Sequence, residues 1–206
     1  MKFFTGDTHF KEEGVIIRSN RPFIDIEEHD KVLIANWNSV VTPNDDVYHL
    51  GDFAYNPFYR NSSKDTEDKA YETFAAILEQ LNGRIHWIYG NHDPIKKKNL
   101  MSALKQYFVW TGTQLEISIR DEDLERKNQK IVLHHCPWED WYNKESSSWQ
   151  LHAHTHNKLP DRPDLLRIDV GVDCHNYTPV SYEQLKEKMS YKTFIPPKNR
   201  MLKATN

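Results

Sequence analysis

The chain has 206 residues, a formal net charge of −3 and two cysteines, Cys136 and Cys174. That length suits one globular domain with a full core, and so few cysteines exclude a disulfide-stapled scaffold. The near-neutral charge excludes a general attraction to nucleic acid, and no apolar run approaches the roughly 20 residues needed to span a bilayer.

In chain order, residues 2–5 read as a short buried strand that ends at Gly6-Asp7. The N-terminus thus enters a strand rather than a secretory leader, and a cytoplasmic setting is expected. Ile26, Leu33, Ile34, Trp37 and Val40 approach helical spacing and predict a helix over 26–40. Residues 42–46 form a turn, and 47–50 a second strand running into Gly51-Asp52. The polar stretch 56–68 is expected to be a surface loop. Ala70, Phe74, Ile77, Leu78 and Leu81 mark a second helix, ended by Asn82-Gly83. Residues 84–89 give a third strand, followed at once by Gly90-Asn91-His92-Asp93. This alternation argues for an α/β domain with largely parallel strands. Each strand is followed by a polar motif, and open α/β sheets bind ligands beyond those carboxyl ends.

The second half is richer in β-structure. Strands are expected at 109–119 and 130–135 with a turn at 121–129, then at 149–152 and 166–172. A short helix over 181–189 is capped by Ser181. We read one domain, residues 1–190, with a tail at 191–206.

Two further motifs lie in this half, His134-His135-Cys136-Pro137 and His152-Ala153-His154-Thr155-His156. Asp7 and His9 stand two apart, as do His154 and His156, so in an extended segment each pair faces one side. Mixed carboxylate, imidazole and amide donors suit first-row divalent metals such as Mn²⁺, Fe²⁺, Zn²⁺ or Ni²⁺ rather than an all-oxygen cage.

Taken in order, Asp7-Thr8-His9, Gly51-Asp52, Gly90-Asn91-His92-Asp93, His135 and His154-Thr155-His156 resemble the signature of the calcineurin-like metallophosphoesterases, in their small bacterial and phage-type branch. The resemblance implies a four-layer α/β/β/α sandwich and two divalent metal ions, Mn²⁺ favoured. It implies that Asp7, His9, Asp52 and His156 hold the first metal. Asp52 would bridge to the second, completed by Asn91, His135 and His154. It casts His92 as the catalytic group facing substrate and Asp93 as the residue orienting its imidazole, with hydroxide between the metals as nucleophile. His134 is expected to face away, because adjacent strand residues point oppositely. Ala153 stands where the family has glycine, and would be strained if that position needs a positive φ.

Several residues carry open readings. Arg21 could lay a guanidinium over a phosphate or sit as a surface charge. His152 could take a second-layer or substrate role, and Cys136 is expected to pack rather than ligate. His29, His86 and His175 are expected as surface or packed imidazoles, and His49 behind the site. Lys96 to Lys98 could attract a polyanion or be a solvated face, and Trp138, Trp141, Tyr142 and Trp149 could stack a base, wall the site or fill core. The expected activity is a phosphodiesterase on small nucleotides or cyclic nucleotides, with no membrane partner. The rivals are a nuclease, a phosphomonoesterase or protein phosphatase, and a silent scaffold of the same fold. Scaffolds of this kind lose motif residues, whereas here His92 and every expected ligand are present.

Overall fold

A computed structural model describes residues 1–55 and 64–196. Two sheets lie face to face, flanked by helices. The first has the order β4-β3-β2-β1-β9, built from β1 (Lys2–Thr5), β2 (Asp46–His49), β3 (Arg84–Ile88), β4 (Phe108–Gly112) and β9 (Val180–Ser181). β1 to β4 run parallel and β9 antiparallel. The second sheet has the order β5-β6-β7-β8, from β5 (Gln114–Arg120), β6 (Asn128–His134), β7 (Trp149–His152) and β8 (Arg167–Asp169).

Strand alternation sets the layers. Phe3, Val47, Ile85 and Trp87 face one way, onto Leu33 and Trp37 of α2 (Ile26–Val40), Phe74 of α3 (Lys64–Leu78) and Leu100 of α4 (Lys98–Leu104). Phe4, Tyr48 and Ile88 face the other way, against Ile131, Leu133 and Leu151 of the second sheet and Leu185 of α5 (Tyr182–Ser190). Val132 turns outward beneath Trp141 and Leu165. The helix starts obey capping chemistry. Asp25 accepts the Glu28 amide at 2.8 Å ahead of α2, and Ser181 forms a capping box with Gln184 ahead of α5. A short helix, α1 (Glu13–Arg18), follows the first motif.

Three element boundaries differ from expectation. α3 begins at Lys64, inside the stretch expected as loop, whose residues 56–63 lie outside the described ones. Its first turns are polar, and an apolar stripe gives no signal there; Glu67 instead accepts the Leu100 amide at 2.9 Å. The strand expected over 109–119 is two strands in different sheets, divided at Thr113. The strand expected over 166–172 stops at Asp169, whose Oδ1 accepts the Gly171 amide at 2.8 Å and turns the chain into a 3-10 turn, Val172–Cys174. Of the expected tail, residues 197–206 lie outside the described ones, while the Thr193 amide bonds to the Pro163 carbonyl at 2.7 Å. No helix among the described residues is long and apolar enough to cross a membrane.

Candidate metal centre

The loops leaving β1, β2 and β3 are laced together at the carboxyl edge of the first sheet. The Asp7 amide bonds to Gly51 O at 2.9 Å and the His9 amide to Asp52 O at 3.0 Å. Gly90 passes so close that a Cβ there would meet Asp52 Oδ1 at 2.2 Å, which is why this motif opens on glycine. Asp7, His9, Asp52, His154 and His156 all adopt left-handed backbone, with φ of 54°, 48°, 55°, 71° and 48°. The i, i+2 pairs therefore converge through left-handed turns and not through the pleat of an extended strand, which corrects the sequence argument. Ala153 has no positive φ; a Cβ at Gly6 would meet its methyl at 2.7 Å, so the small residue that this seam needs is supplied by Gly6.

The structure brings all seven expected ligand residues together. Ligand atoms of Asp7, His9 and His156 lie within 4.8 Å of one another, as do those of Asp7, Asp52 and His135, and those of His135, Cys136 and His154. Asp52 Oδ2 stands between the halves, 3.6 Å from His9 Nε2 and 3.4 Å from His135 Nε2. Asn91 Oδ1 and His154 Nδ1 lie 2.9 and 3.2 Å from that same His135 nitrogen. The Cys136 thiol, expected only to pack, joins this rim.

The donor set fits a pair of divalent cations. Both carboxylate oxygens of Asp7 and Nε2 of His9 are buried with no hydrogen-bond partner among the described residues. Buried polar groups are normally satisfied, so an unpaired carboxylate beside a bare imidazole nitrogen is the signature of a cation position. Burial raises the Asp7 carboxyl well above its ordinary range, and Asp52, Asp169 and Asp173 reinforce this against His135. Burial lowers His9 to about 4 despite Glu12 at its back, keeping the imidazole neutral as a ligand must be. For Asp52, burial would raise the carboxyl, but His135 and His9 outweigh it and hold it well below the usual range. His135 is the reverse: burial would lower it, and Asp52 lifts it to about 9.

A supporting layer stands behind these side chains. His9 Nδ1 donates to Glu12 Oε2 at 2.7 Å, and Arg18 donates to the other oxygen at 2.8 Å. His156 Nδ1 donates to Asp173 Oδ2 at 2.8 Å, and His135 Nδ1 to the Leu50 carbonyl at 2.7 Å. Buried His49 accepts the Gly51 amide at 3.2 Å and bonds Thr8 Oγ1 at 2.9 Å, bracing the first two loops. Glu12 carried no sequence signal beyond its place three residues after His9, and Asp173 none beyond its place in the Asp169–Asp173 segment.

Arg21 needs correction. Its side chain is fully buried and its donors are engaged: Nε and Nη2 on Asp173, each at 2.8 Å, Nη2 on Asp7 O at 2.6 Å, and Nη1 on Thr8 O at 3.1 Å and His29 Nε2 at 2.7 Å. It holds ligand-bearing backbone and does not reach toward substrate. Asp93 also differs. Its carboxylate accepts the amides of Gly90 at 2.6 Å, Asp52 at 2.9 Å and Phe53 at 3.0 Å, so it fixes the turn that carries Asp52 rather than orienting the His92 ring. Burial, with Asp52 nearby, raises it to about 6 against those three amides. His92 is half-buried, its amide donating to Asp52 Oδ1 at 2.7 Å and its ring 5.2 Å from that of His9.

His152 does not join the ligands. It lines a separate cavity of about 380 Å³ with Leu159, Arg162, Arg167 and Tyr191, because the chain leaves the strand after it. His134 turns onto Trp138, ring centroids 4.1 Å apart, while His135 turns inward. His29 is packed between Arg21 and Asp30, and His175 bonds Asp169 O at 2.8 Å. Trp141 and Trp149 are core residues, Tyr142 is exposed, and Lys96 and Lys98 are exposed beyond Asp93.

Two packed sheets with a cluster of carboxylates and imidazoles at their shared edge present the donor set of a candidate metal centre. The sequence model of the calcineurin-like phosphoesterases matches residues 3–158, and the chain belongs to that family. It is by family a metal-dependent phosphoester hydrolase. An uncharacterised protein of Methanocaldococcus jannaschii is 34% identical over 186 residues, spanning 88% of this chain and 86% of its own. The Gene 66 protein of Mycobacterium phage L5 is 27% identical over 189 residues, spanning 84% and 86%. A solved protein of unknown function from Aquifex aeolicus shares the fold with a TM-score of 0.60 at 23% identity, over 91% of this chain and 98% of that one.

Proposed function

We propose that the protein is a Mn²⁺-dependent phosphodiesterase acting on small nucleotide phosphodiesters. The observation that supports a diester over a monoester is the placement of Arg21. A monoester presents an extra terminal oxygen and charge that a free guanidinium would grip, and this guanidinium is buried and fully engaged. The nucleotide part of the reading rests on the sequence expectation alone, because Trp138 lies tilted on the outward-facing His134 with the Val132, Trp141 and Leu165 cluster.

Asp7, His9, Asp52 and His156 would hold one divalent cation, and Asp52, Asn91, His135 and His154 the other. When bound, they supply Lewis-acid activation of water and charge neutralisation at the phosphoryl oxygens. His92 stands at the mouth, its backbone fixed to Asp52, and gives its imidazole proton to the departing oxygen. Asp93 keeps the Asp52 turn rigid through three amides, so the shared carboxylate does not swing.

The test is hydrolysis by Mn²⁺-loaded protein of an aryl phosphodiester beside the matching monoester, with and without chelator. Faster, chelator-sensitive diester cleavage supports the reading, and a monoester preference overturns it. A nuclease reading draws on exposed Lys96 and Lys98. It would show as cleavage of single-stranded DNA that collapses between low and moderate salt.

A further inference from the structure

The two halves of the centre are built differently. In the half formed by Asp7, His9 and His156, three ligand atoms are buried without a hydrogen-bond partner among the described residues. Both of its imidazoles are held from behind by a carboxylate, and each carboxylate is itself clamped by an arginine. Arg18, Glu12 and His9 form one such line, with contacts of 2.8 and 2.7 Å. Arg21, Asp173 and His156 form the other, with contacts of 2.8 Å throughout. A carboxylate on Nδ1–H fixes the tautomer that aims Nε2 inward, locks the ring and raises its basicity.

The other half lacks this preparation. His135 Nδ1 rests on a neutral backbone carbonyl, Leu50 O. Its Nε2 is already engaged, 2.9 Å from Asn91 Oδ1, 3.2 Å from His154 Nδ1 and 3.4 Å from Asp52 Oδ2. Asp52 is common to both halves, so the difference lies in the other ligands: a cation entering the first half meets buried atoms of Asp7 and His9 that have no hydrogen bond to lose. A cation entering the second must displace contacts that the ligands make with one another.

We propose that Glu12 and Asp173 are positioning residues that make the Asp7–His9–His156 half the tight metal subsite, filled first, and leave the Asn91–His135–His154 half as the weaker subsite, filled second. This rests on the metal centre of the function proposed above. The consequence is a protein that holds one metal persistently and gains the other only as free metal rises.

The experiment is calorimetric titration of chelator-stripped full-length protein with Mn²⁺, which reads binding and not turnover. Wild type should show two unequal steps. Glu12→Gln and Asp173→Asn should each weaken the tight step by about 10–100-fold, the usual effect of losing such a partner, and leave the weak step within about threefold. Glu12→Asp should recover part of the loss. Asn91→Ala should abolish the weak step and spare the tight one. Circular dichroism of the stripped proteins checks folding. Should Asp173→Asn unfold, Glu12→Gln, whose side chain reaches the surface, carries the test. Two equal steps in wild type, or a tight step unmoved in Glu12→Gln, overturns this inference alone. Absence of any metal binding by folded wild type overturns the proposed function together with it.

Discussion

Replacing Arg21 by alanine separates a structural guanidinium from a substrate-gripping one. The substitution leaves Asp173, whose side chain is 6% exposed, without its cationic partner. Breaking a buried ion pair from one side costs about 3–5 kcal/mol, because the remaining charge is stranded in a medium that solvates it poorly. The carbonyls of Asp7 and Thr8 lose donors at 2.6 and 3.1 Å, and an orphaned buried group adds about 1–3 kcal/mol. The sum, at least about 4 kcal/mol, is a large share of the 5–15 kcal/mol that holds an ordinary domain together. Urea unfolding in chelator should therefore show a marked fall in midpoint for Arg21→Ala. Arg21→Lys should lie between, because an ammonium keeps the charge but cannot fork across both oxygens of Asp173. Adding Asp173→Asn to Arg21→Ala should cost less than the sum of the two single changes, since no stranded charge remains. A stability lowered by less than about 1 kcal/mol, with a raised KM and an unchanged kcat, would refute this account and return Arg21 to the substrate pocket.

Other expectations follow from the same contacts. His92→Ala should keep the metal stoichiometry and lose about 10²–10⁴-fold in kcat, the range for one general acid; full-speed turnover would remove His92 from the chemistry. Stripping the metals should lower the thermal midpoint in scanning calorimetry. A cation at 100 times its dissociation constant adds about 2.7 kcal/mol, which for a chain of this size is roughly 5–10 °C. In chelator, stability should fall as the solution is acidified, in two stages. His9 and His49 are depressed by burial from 6.5 to about 4 and about 3, so the unfolded chain takes up protons first and stability drops below pH 6.5. For Glu12 and Asp173 burial opposes, but their histidine and arginine partners hold both at about 2, so their contribution is lost as the pH falls from about 4 toward 2. Asp93, raised to about 6, and Asp7, raised well above its ordinary range by burial, work in the opposite sense and soften the first stage. Urea midpoints at stepped pH read this directly, and a flat profile from pH 7 to 4 would contradict it.

Most of the fold was legible because apolar runs such as 47–50 and 84–89 each end in a polar motif, and because the stripes of α2 and the later turns of α3 keep their period. The break at Thr113 was not legible, since both strands that it separates are apolar and β-prone and differ only in which sheet they join. The residues that converge as candidate ligands were legible because the donor atoms are fixed by residue type. What hid was everything that depends on a distant contact. Arg21 and Asp173 meet across 152 positions, and no local pattern distinguishes a guanidinium that grips a phosphate from one that grips carbonyls. Asp93 was misread for a related reason: its place next to His92 in sequence suggested a ring partner, whereas three backbone amides reach it first.

Five of the seven candidate ligand residues sit in left-handed backbone, a state that costs an ordinary L-residue roughly 1–2 kcal/mol and Asp or Asn somewhat less. Together these penalties rival the net stability of a whole domain, so no ligand loop would hold its shape in isolation. The loops that carry Asp7, His9 and Asp52 are kept that way by Arg21, by Asp93 and by the Gly51 and Asp52 carbonyls, while Asp173 from the far end of the chain anchors Arg21 and His156. A fragment carrying residues 1–100 keeps Arg21, Asp93, Gly51 and Asp52 but has neither Asp173 nor His135, His154 and His156, so it lacks the anchor of Arg21 and three of the seven candidate ligands. The convergence of the candidate ligands is thus a property of the finished tertiary structure and not of any one segment of the chain.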